Sequence, residues 1–274
     1  MADKNEDNAV FLSIENIPIY FQEDWQIGIG GGLWSTGLAI AKYFERHSVD
    51  VSENLKRLDG IERKRLNIRG ISAIELGSGN GFLSVCLLAL AASHNNIPLD
   101  NLVVTDFEDH LSLMENTMKA NAHVWDQLIV VKEGSSTTTR NPSHRKENKV
   151  SVTIAEHIWG ESSDETKYDF IFGSDLAYRD SLYDPLISSL LQLSHQHTVS
   201  LIGKFISDAL LSVLPNFRTD NIIIYYIGVT MNDTKPEFFD KLRKAGFRYE
   251  RLGDNYMEGE LRNGNFGIFV IMKR

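Results

Sequence analysis

Apolar positions along this chain fall into short runs separated by glycine-rich or polar breaks, and the spacing within each run predicts its element. Residues 1–9 are polar and acidic and read as a disordered tail. From Val10 to Gln22 the apolar positions (Phe11, Leu12, Ile14, Ile17, Ile19, Tyr20, Phe21) alternate loosely, as in a strand or hairpin. Trp25 to Trp34 is a glycine-rich loop opening onto a helix, in which Leu38, Ala41, Lys42 and Glu45 keep helical spacing. Residues 47–70 are charged and read as a solvated helix or loop. Ile71, Ala73, Ile74 and Leu76 then make a buried strand. Leu83, Val85, Leu87, Leu88, Leu90 and Ala91 make an apolar helix, Asn101–Asp106 a second strand ending in an acid, and Leu111, Met114, Met118 and Asn121 another helix.

The second half repeats the alternation less cleanly. Residues 129–132 form a brief strand. Residues 133–149, with Ser-Ser-Thr-Thr-Thr and Arg-Asn-Pro-Ser-His-Arg-Lys, read as a flexible insertion whose cations either meet an acidic substrate or are simply solvated. Val150–Ile154 and Phe170–Phe172 are strands, and residues 183–193 an amphipathic helix with Pro185 near its start. Residues 198–203 and 221–230 compete for the next strand position. The pattern favours 221–230, as that strand or as an added edge, with 204–217 a helix-bearing insertion. Pro236–Ala245 is a helix stopped by Gly246, and residues 247–252 and 266–272 close the chain as an antiparallel hairpin.

Composition narrows the class. A chain of 274 residues, 42% of them apolar, buries one core. The division expected is a tail and leading strand over residues 1–27 and one domain over 28–274. A net charge of −9 weighs against general affinity for nucleic acid or anionic membranes. The single Cys86 lies inside the apolar helix and reads as a packed thiol. The N-terminus is unlike a signal peptide and no window has the apolar length of a membrane span, so the expectation is a soluble monomer in the cytoplasm, with the nucleus as a second compartment.

The candidate chemistry sits at Glu75-Leu-Gly-Ser-Gly-Asn-Gly81. Strand, glycine turn and helix hold a nucleotide-like ligand, because glycines let the backbone approach it and the helix N-terminus faces it. Three readings compete there. One is a βα loop that binds nothing. The second, a dinucleotide site, wants a small residue where Phe82 stands, and Glu75 would repel a pyrophosphate. The third is a ligand with a cationic part, which an acid at Glu75 suits, such as the amino-acid end of S-adenosylmethionine.

Glu-Leu-Gly-Ser-Gly-Asn-Gly resembles motif I of the class I, seven-β-strand methyltransferases. Gly-x-x-Trp34 followed by Leu-Ala-x-x-Phe-Glu is similar to the segment before motif I in the non-SET protein-lysine methyltransferases of methyltransferase family 16. Trp159-Gly160 and Asp175-Leu-Ala-Tyr178 resemble two further signatures of that family, in its order. The resemblance implies an α/β fold: a Rossmann-like, seven-stranded, mostly parallel sheet with helices on both faces and a reversed C-terminal hairpin. It also implies methyl transfer from S-adenosylmethionine to a protein lysine, with no metal. The cofactor site it implies comprises Trp34, Glu75, Leu76, Gly77, Ser78, Gly79, Gly81, Asp106, Phe107, Trp159 and Ser174, with Asp106 on the ribose hydroxyls and Trp159 against adenine. Asp175 and Tyr178 are the catalytic candidates. From the residues alone Trp34 and Trp159 also have a reading as core anchors, and Asp175 as a backbone-capping residue. Methylation of protein histidine, RNA or a small amine, and a non-catalytic cofactor-binding role, stay open at this point.

Overall fold

The structure, a computed structural model, describes residues 11–58, 71–93, 99–127, 129–133, 136–140, 149–161, 166–168, 170–194, 223–230, 234–253 and 266–273. Strands β1 (Leu12–Ile14) and β2 (Ile17–Ile19) form a small hairpin whose turn, Glu15–Asn16, takes positive φ at both residues. That turn matches the twist of the paired strands. Its inward side chains, Ile14, Ile17 and Ile19, are buried in the main core, so the hairpin shares that core with α1 (Ser35–Leu58) and the strands beyond it.

Helix α1 runs well into the charged stretch after residue 47. Strand β3 (Ile71–Glu75), helix α2 (Phe82–Ser93), β4 (Leu99–Asp106) and α3 (Leu111–Ala120) then keep the predicted order. Next come β5 (Ile129–Glu133), β6 (Ser136–Arg140), β7 (Lys149–Glu156), β8 (Phe170–Ser174), α4 (Tyr183–Leu193) and β9 (Ile223–Thr230). The chain closes with α5 (Pro236–Lys244), β10 (Phe247–Arg251) and β11 (Phe266–Lys273).

All described strands but the first two join one sheet in the order β10-β11-β9-β8-β3-β4-β7-β6-β5. Its centre, β9-β8-β3-β4-β7, is parallel throughout, and β11 runs antiparallel to both β9 and β10. Among the described residues nine strands therefore stand in the sheet where seven were expected. The two extra are β5 and β6, an antiparallel pair laid on the edge of β7. The expectation of a flexible insertion is thus corrected over 136–140. Its Ser-Thr-Thr-Thr-Arg is polar, but the three threonines are β-branched and favour extended backbone, which here pairs with β5 on one side and β7 on the other. Residues 134–135 and 141–148 of that insertion, and the candidate helix at 204–217, lie outside the described residues. Residues 198–203 do too, whereas β9, between β8 and β11, holds an interior position and not an added edge.

Alternate residues of the strands serve opposite faces. Ala73, Leu102, Val104 and Phe172 enter one buried cluster with the hairpin, α1, α2 and α3, while Ile74, Ile171, Phe269 and Ile271 enter a second with α4 and α5. Helices therefore cover both faces, and α2, buried almost all round, lies between the sheet and its neighbours. No described helix is long and apolar enough to cross a membrane.

Candidate active site

The chain moves outward from β3 to β4 and β7, then returns to β8 on the other side of β3. Ligands in open α/β sheets bind beyond the strand C-termini at such a reversal. Here the C-terminal ends of β3, β4, β7 and β8 open onto one cavity of about 580 Å3.

The floor is the glycine turn. Gly77 and Gly79 have φ of 57° and 60°. A Cβ on Gly77 would lie 2.7 Å from Leu176 Cδ2 and 2.9 Å from Trp159 Cζ2, and one on Gly79 would overlap the Gly30 carbonyl oxygen. Both positions therefore require glycine for conformation and for space. Ser78 N–H donates to Thr105 O (2.9 Å) and Gly79 N–H to Asp106 Oδ2 (2.7 Å), which ties the turn to the end of β4. Asp106 Oδ1 accepts from Phe107 N–H at 2.8 Å. Burial raises the Asp106 pKa, with His110 and the two amides opposing the rise.

Glu75 is 1% exposed and lines the cavity from below, its Oε2 accepting from the Ser84 hydroxyl. Burial pushes its pKa up to about 7, against the pull of nearby hydroxyls from Ser84 and Ser78. Asn80 and His110 also line this space, and Asn80 Nδ2 and His110 Nε2 are buried without a hydrogen-bond partner. Buried polar nitrogens left this way point to a polar group that belongs beside them. A glycine cradle, an acid for an ammonium, a carboxylate for hydroxyls and unpaired amide and imidazole nitrogens fit S-adenosylmethionine.

The roof comes from residues 23–34. Asp24 N–H bonds Gly31 O (2.8 Å), and the Glu23 carboxylate accepts from Leu33 N–H (2.9 Å) and Trp25 Nε1–H (3.3 Å). Trp34 Nε1–H donates to Ile29 O at 3.1 Å, and the rings of Trp25 and Trp34 meet edge to face at 6.1 Å. Trp34 is 38% exposed and lines the cavity, so it is not a core anchor. Trp159 lies against Gly77, and its neighbour His157 packs on Ser189, whose Oγ also accepts from Gly160 N–H (3.0 Å). Burial lowers the His157 pKa.

The far wall continues from β8. Ser174, Asp175, Tyr178 and Arg179 line it, and Asp175 leaves the strand at φ 53°. Asp175 Oδ2 accepts from the Thr36 hydroxyl at the start of α1. The Arg179 guanidinium stands 5.3 Å from the Tyr178 ring centroid. Thr234 Oγ1 donates to Ala177 O (2.9 Å), and Lys235 N–H to the Tyr183 hydroxyl (3.0 Å), so the entrance to α5 braces this wall.

Every candidate cofactor and catalytic residue singled out from the sequence lines the cavity except Leu76 and Gly81. Of those two, the Leu76 side chain enters the second core cluster, and Gly81 (φ 82°) turns the chain beneath Met114. The sequence reading missed Asn80, His110, His157, Arg179 and Gly30. Asn80 sits between two glycines of the motif and His110 one helical turn after Asp106, signals too common to stand out alone. Among the described residues no group of three or more His, Cys, Asp or Glu side chains could hold a metal ion.

A family model described as lysine methyltransferase matches residues 13–244 of this chain. The chain is 22% identical over 199 residues to a Xenopus tropicalis protein N-lysine methyltransferase METTL21A, covering 72% of this chain and 71% of that protein. To its Danio rerio counterpart it is 24% identical over 204 residues (73% and 72%). EEF1A lysine methyltransferase 3 of Xenopus tropicalis is 22% identical over 174 residues, 63% of this chain and 56% of that one. Among solved structures, the glycopeptide N-methyltransferase MtfA complexed with sinefungin aligns with a TM-score of 0.45 at 9% identity, over 81% of this chain and 93% of that one.

Proposed function

Because this chain belongs to the lysine methyltransferase family, we propose that it methylates a lysine side chain of a protein substrate from S-adenosylmethionine, in the cavity between the glycine turn and Asp175–Tyr178. One observation carries the reading. A single space joins a floor suited to the cofactor's charged and hydroxyl groups to a wall with a carboxylate and an aromatic ring. When bound, S-adenosylmethionine supplies a methyl carbon made electrophilic by its sulfonium.

The chain's own residues then bind, orient and dry. Glu75 answers the ammonium of the amino-acid end, and Asp106, already fixed by two amides, takes the ribose hydroxyls on its remaining lone pairs. Trp159 offers an indole face to the base, and Trp34 closes over the top. A lysine amine of reference pKa near 10.4 is neutral to only about 0.1% at pH 7.4. The Asp175 carboxylate draws the ammonium in and orients it. Low-dielectric walls and the Arg179 guanidinium beside Tyr178 favour loss of its proton. The Tyr178 ring holds the methylated cation by cation–π attraction. The acidic chain weighs for a protein and against nucleic acid as the acceptor, and we propose that the enzyme acts as a monomer.

Incubation with methyl-labelled cofactor and cell extract, then identification of the labelled band and amino acid, tests this. The expected product is a protein carrying methyllysine. Label in RNA, in methylhistidine or in a small amine would replace the substrate class, and no labelling with intact cofactor binding would leave a binding protein.

A further inference from the structure

Thr36 is 1% exposed and lies in the first turn of α1, 139 residues from Asp175 in sequence, yet its hydroxyl donates to Asp175 Oδ2. The helix start is set directly on the end of β8: a Cβ on Gly37 would lie 3.2 Å from Ser174 Oγ. Gly37 and Leu38 N–H turn back to Trp34 O (3.0 and 3.3 Å), leaving earlier first-turn amides outside the helical ladder. A carboxylate at that end meets both a charge-assisted hydrogen bond and the positive end of the helix. Asp175 holds a left-handed backbone (φ 53°) that residues other than glycine seldom adopt, and such a conformation persists where its surroundings over-determine it. Asp175 lines the cavity, so what fixes its carboxylate also fixes what an incoming amine meets.

We propose that Thr36 is a positioning residue for methyl transfer: by holding one oxygen of Asp175 it sets the carboxylate in the single orientation that receives the acceptor amine. This rests on the lysine-acceptor reading of the Asp175–Tyr178 wall. Without the hydroxyl Asp175 Oδ2 loses the partner that orients it, and the amine is bound in orientations from which its lone pair does not face the methyl carbon. Thr36 touches no substrate. Its effect passes through Asp175 alone, and the glycine turn and Asp106 are untouched by it.

Calorimetry with three probes separates the possibilities. They are S-adenosylhomocysteine, an adenosyl analogue with nitrogen for sulfur and an aminoalkyl arm in place of the methyl, and the same analogue with that arm ending in methyl. Wild type should prefer the amine arm to the methyl arm, and Asp175→Asn should abolish that preference. Thr36→Val, which keeps shape and removes the hydroxyl, should cut the preference by about tenfold, the scale of a hydrogen bond to a charged group. Thr36→Ser should restore it, and S-adenosylhomocysteine affinity should stay at the wild-type value in all the Thr36 variants. A full preference in Thr36→Val beside its loss in Asp175→Asn would overturn the role of Thr36 and leave the function standing. Equal losses for all three probes would also overturn it, making Thr36 structural only. A wild type that binds S-adenosylhomocysteine but ignores the amine would overturn the acceptor wall and Thr36 together. No binding of S-adenosylhomocysteine would overturn the methyltransferase reading itself. If Thr36→Val does not fold, Thr36→Ala is read by the same comparisons.

Discussion

A carboxyl group sealed at the floor of a cavity, as Glu75 is, holds its proton to higher pH than an exposed one. Its folded pKa, pushed up to about 7 by burial from 4.5, means that folding takes up a proton between those values. For the empty protein the contribution of this group to stability is present below about pH 4.5 and is lost as pH rises through 7. A bound ammonium reverses the preference by favouring the ionised form. Cofactor affinity should therefore fall by up to about tenfold per pH unit below 7 and level off above it, until the ligand's own amine titrates near about 8. Binding at pH 6.5 should also release protons into the buffer. Calorimetry in buffers of different ionisation enthalpy measures both, and affinity that is flat from pH 5.5 to 7.5 would remove Glu75 from the ammonium. The two acids of the floor were legible because each ends an apolar strand. The pairing of Thr36 with Asp175 was not, since no local pattern joins positions 139 residues apart.

At the scale of elements, the end of α3 supports the roof of the cavity. The buried Asn121 amide acts as a strand partner for Tyr20: Oδ1 accepts from Tyr20 N–H (2.8 Å), and Nδ2 donates to Tyr20 O (2.6 Å) and to Thr117 O (2.8 Å). It thereby fastens the chain between β2 and the loop that carries Trp25 and Trp34. Asn121→Ala should cost roughly 2–4 kcal/mol, because it orphans backbone groups that the fold has buried. For a domain of this size that lowers Tm by about 5–10 °C. Thermal unfolding measures it; a shift below a degree would mean that the loop is held from elsewhere. The helix itself was readable from the spacing of Leu111, Met114, Met118 and Asn121, the last of which caps it. What the side chain fastens was hidden, as was the β5–β6 edge, where polar β-branched residues imitate the composition of a loop.

Across the whole molecule, one sheet separates two buried clusters, and the cavity opens where the order of its strands reverses. Strands β3, β4 and β8 and the helices between them were plain from periodicity, because burial on both faces leaves unbroken apolar runs. The interior place of β9 was not, because pairing on both sides is a property of the sheet and not of the segment. A ligand that binds only where these strand ends meet stabilises the entire fold. S-adenosylhomocysteine at a hundred times its Kd should add about 2.7 kcal/mol to unfolding. A thermal shift that rises logarithmically with its concentration checks this, and unchanged melting would place the ligand elsewhere.

The fastening of Tyr20 by Asn121 also has a consequence in time. The hairpin leaves the ribosome before its amide partner, which is made 101 residues later. At about 5–20 residues per second, the Tyr20 backbone waits roughly 5–20 s for the side chain that will fasten it. During that interval the nascent chain exposes a two-stranded apolar surface that cannot be stable alone. The hairpin is thus made well before it is fastened, and chaperone contact with the growing chain is expected there.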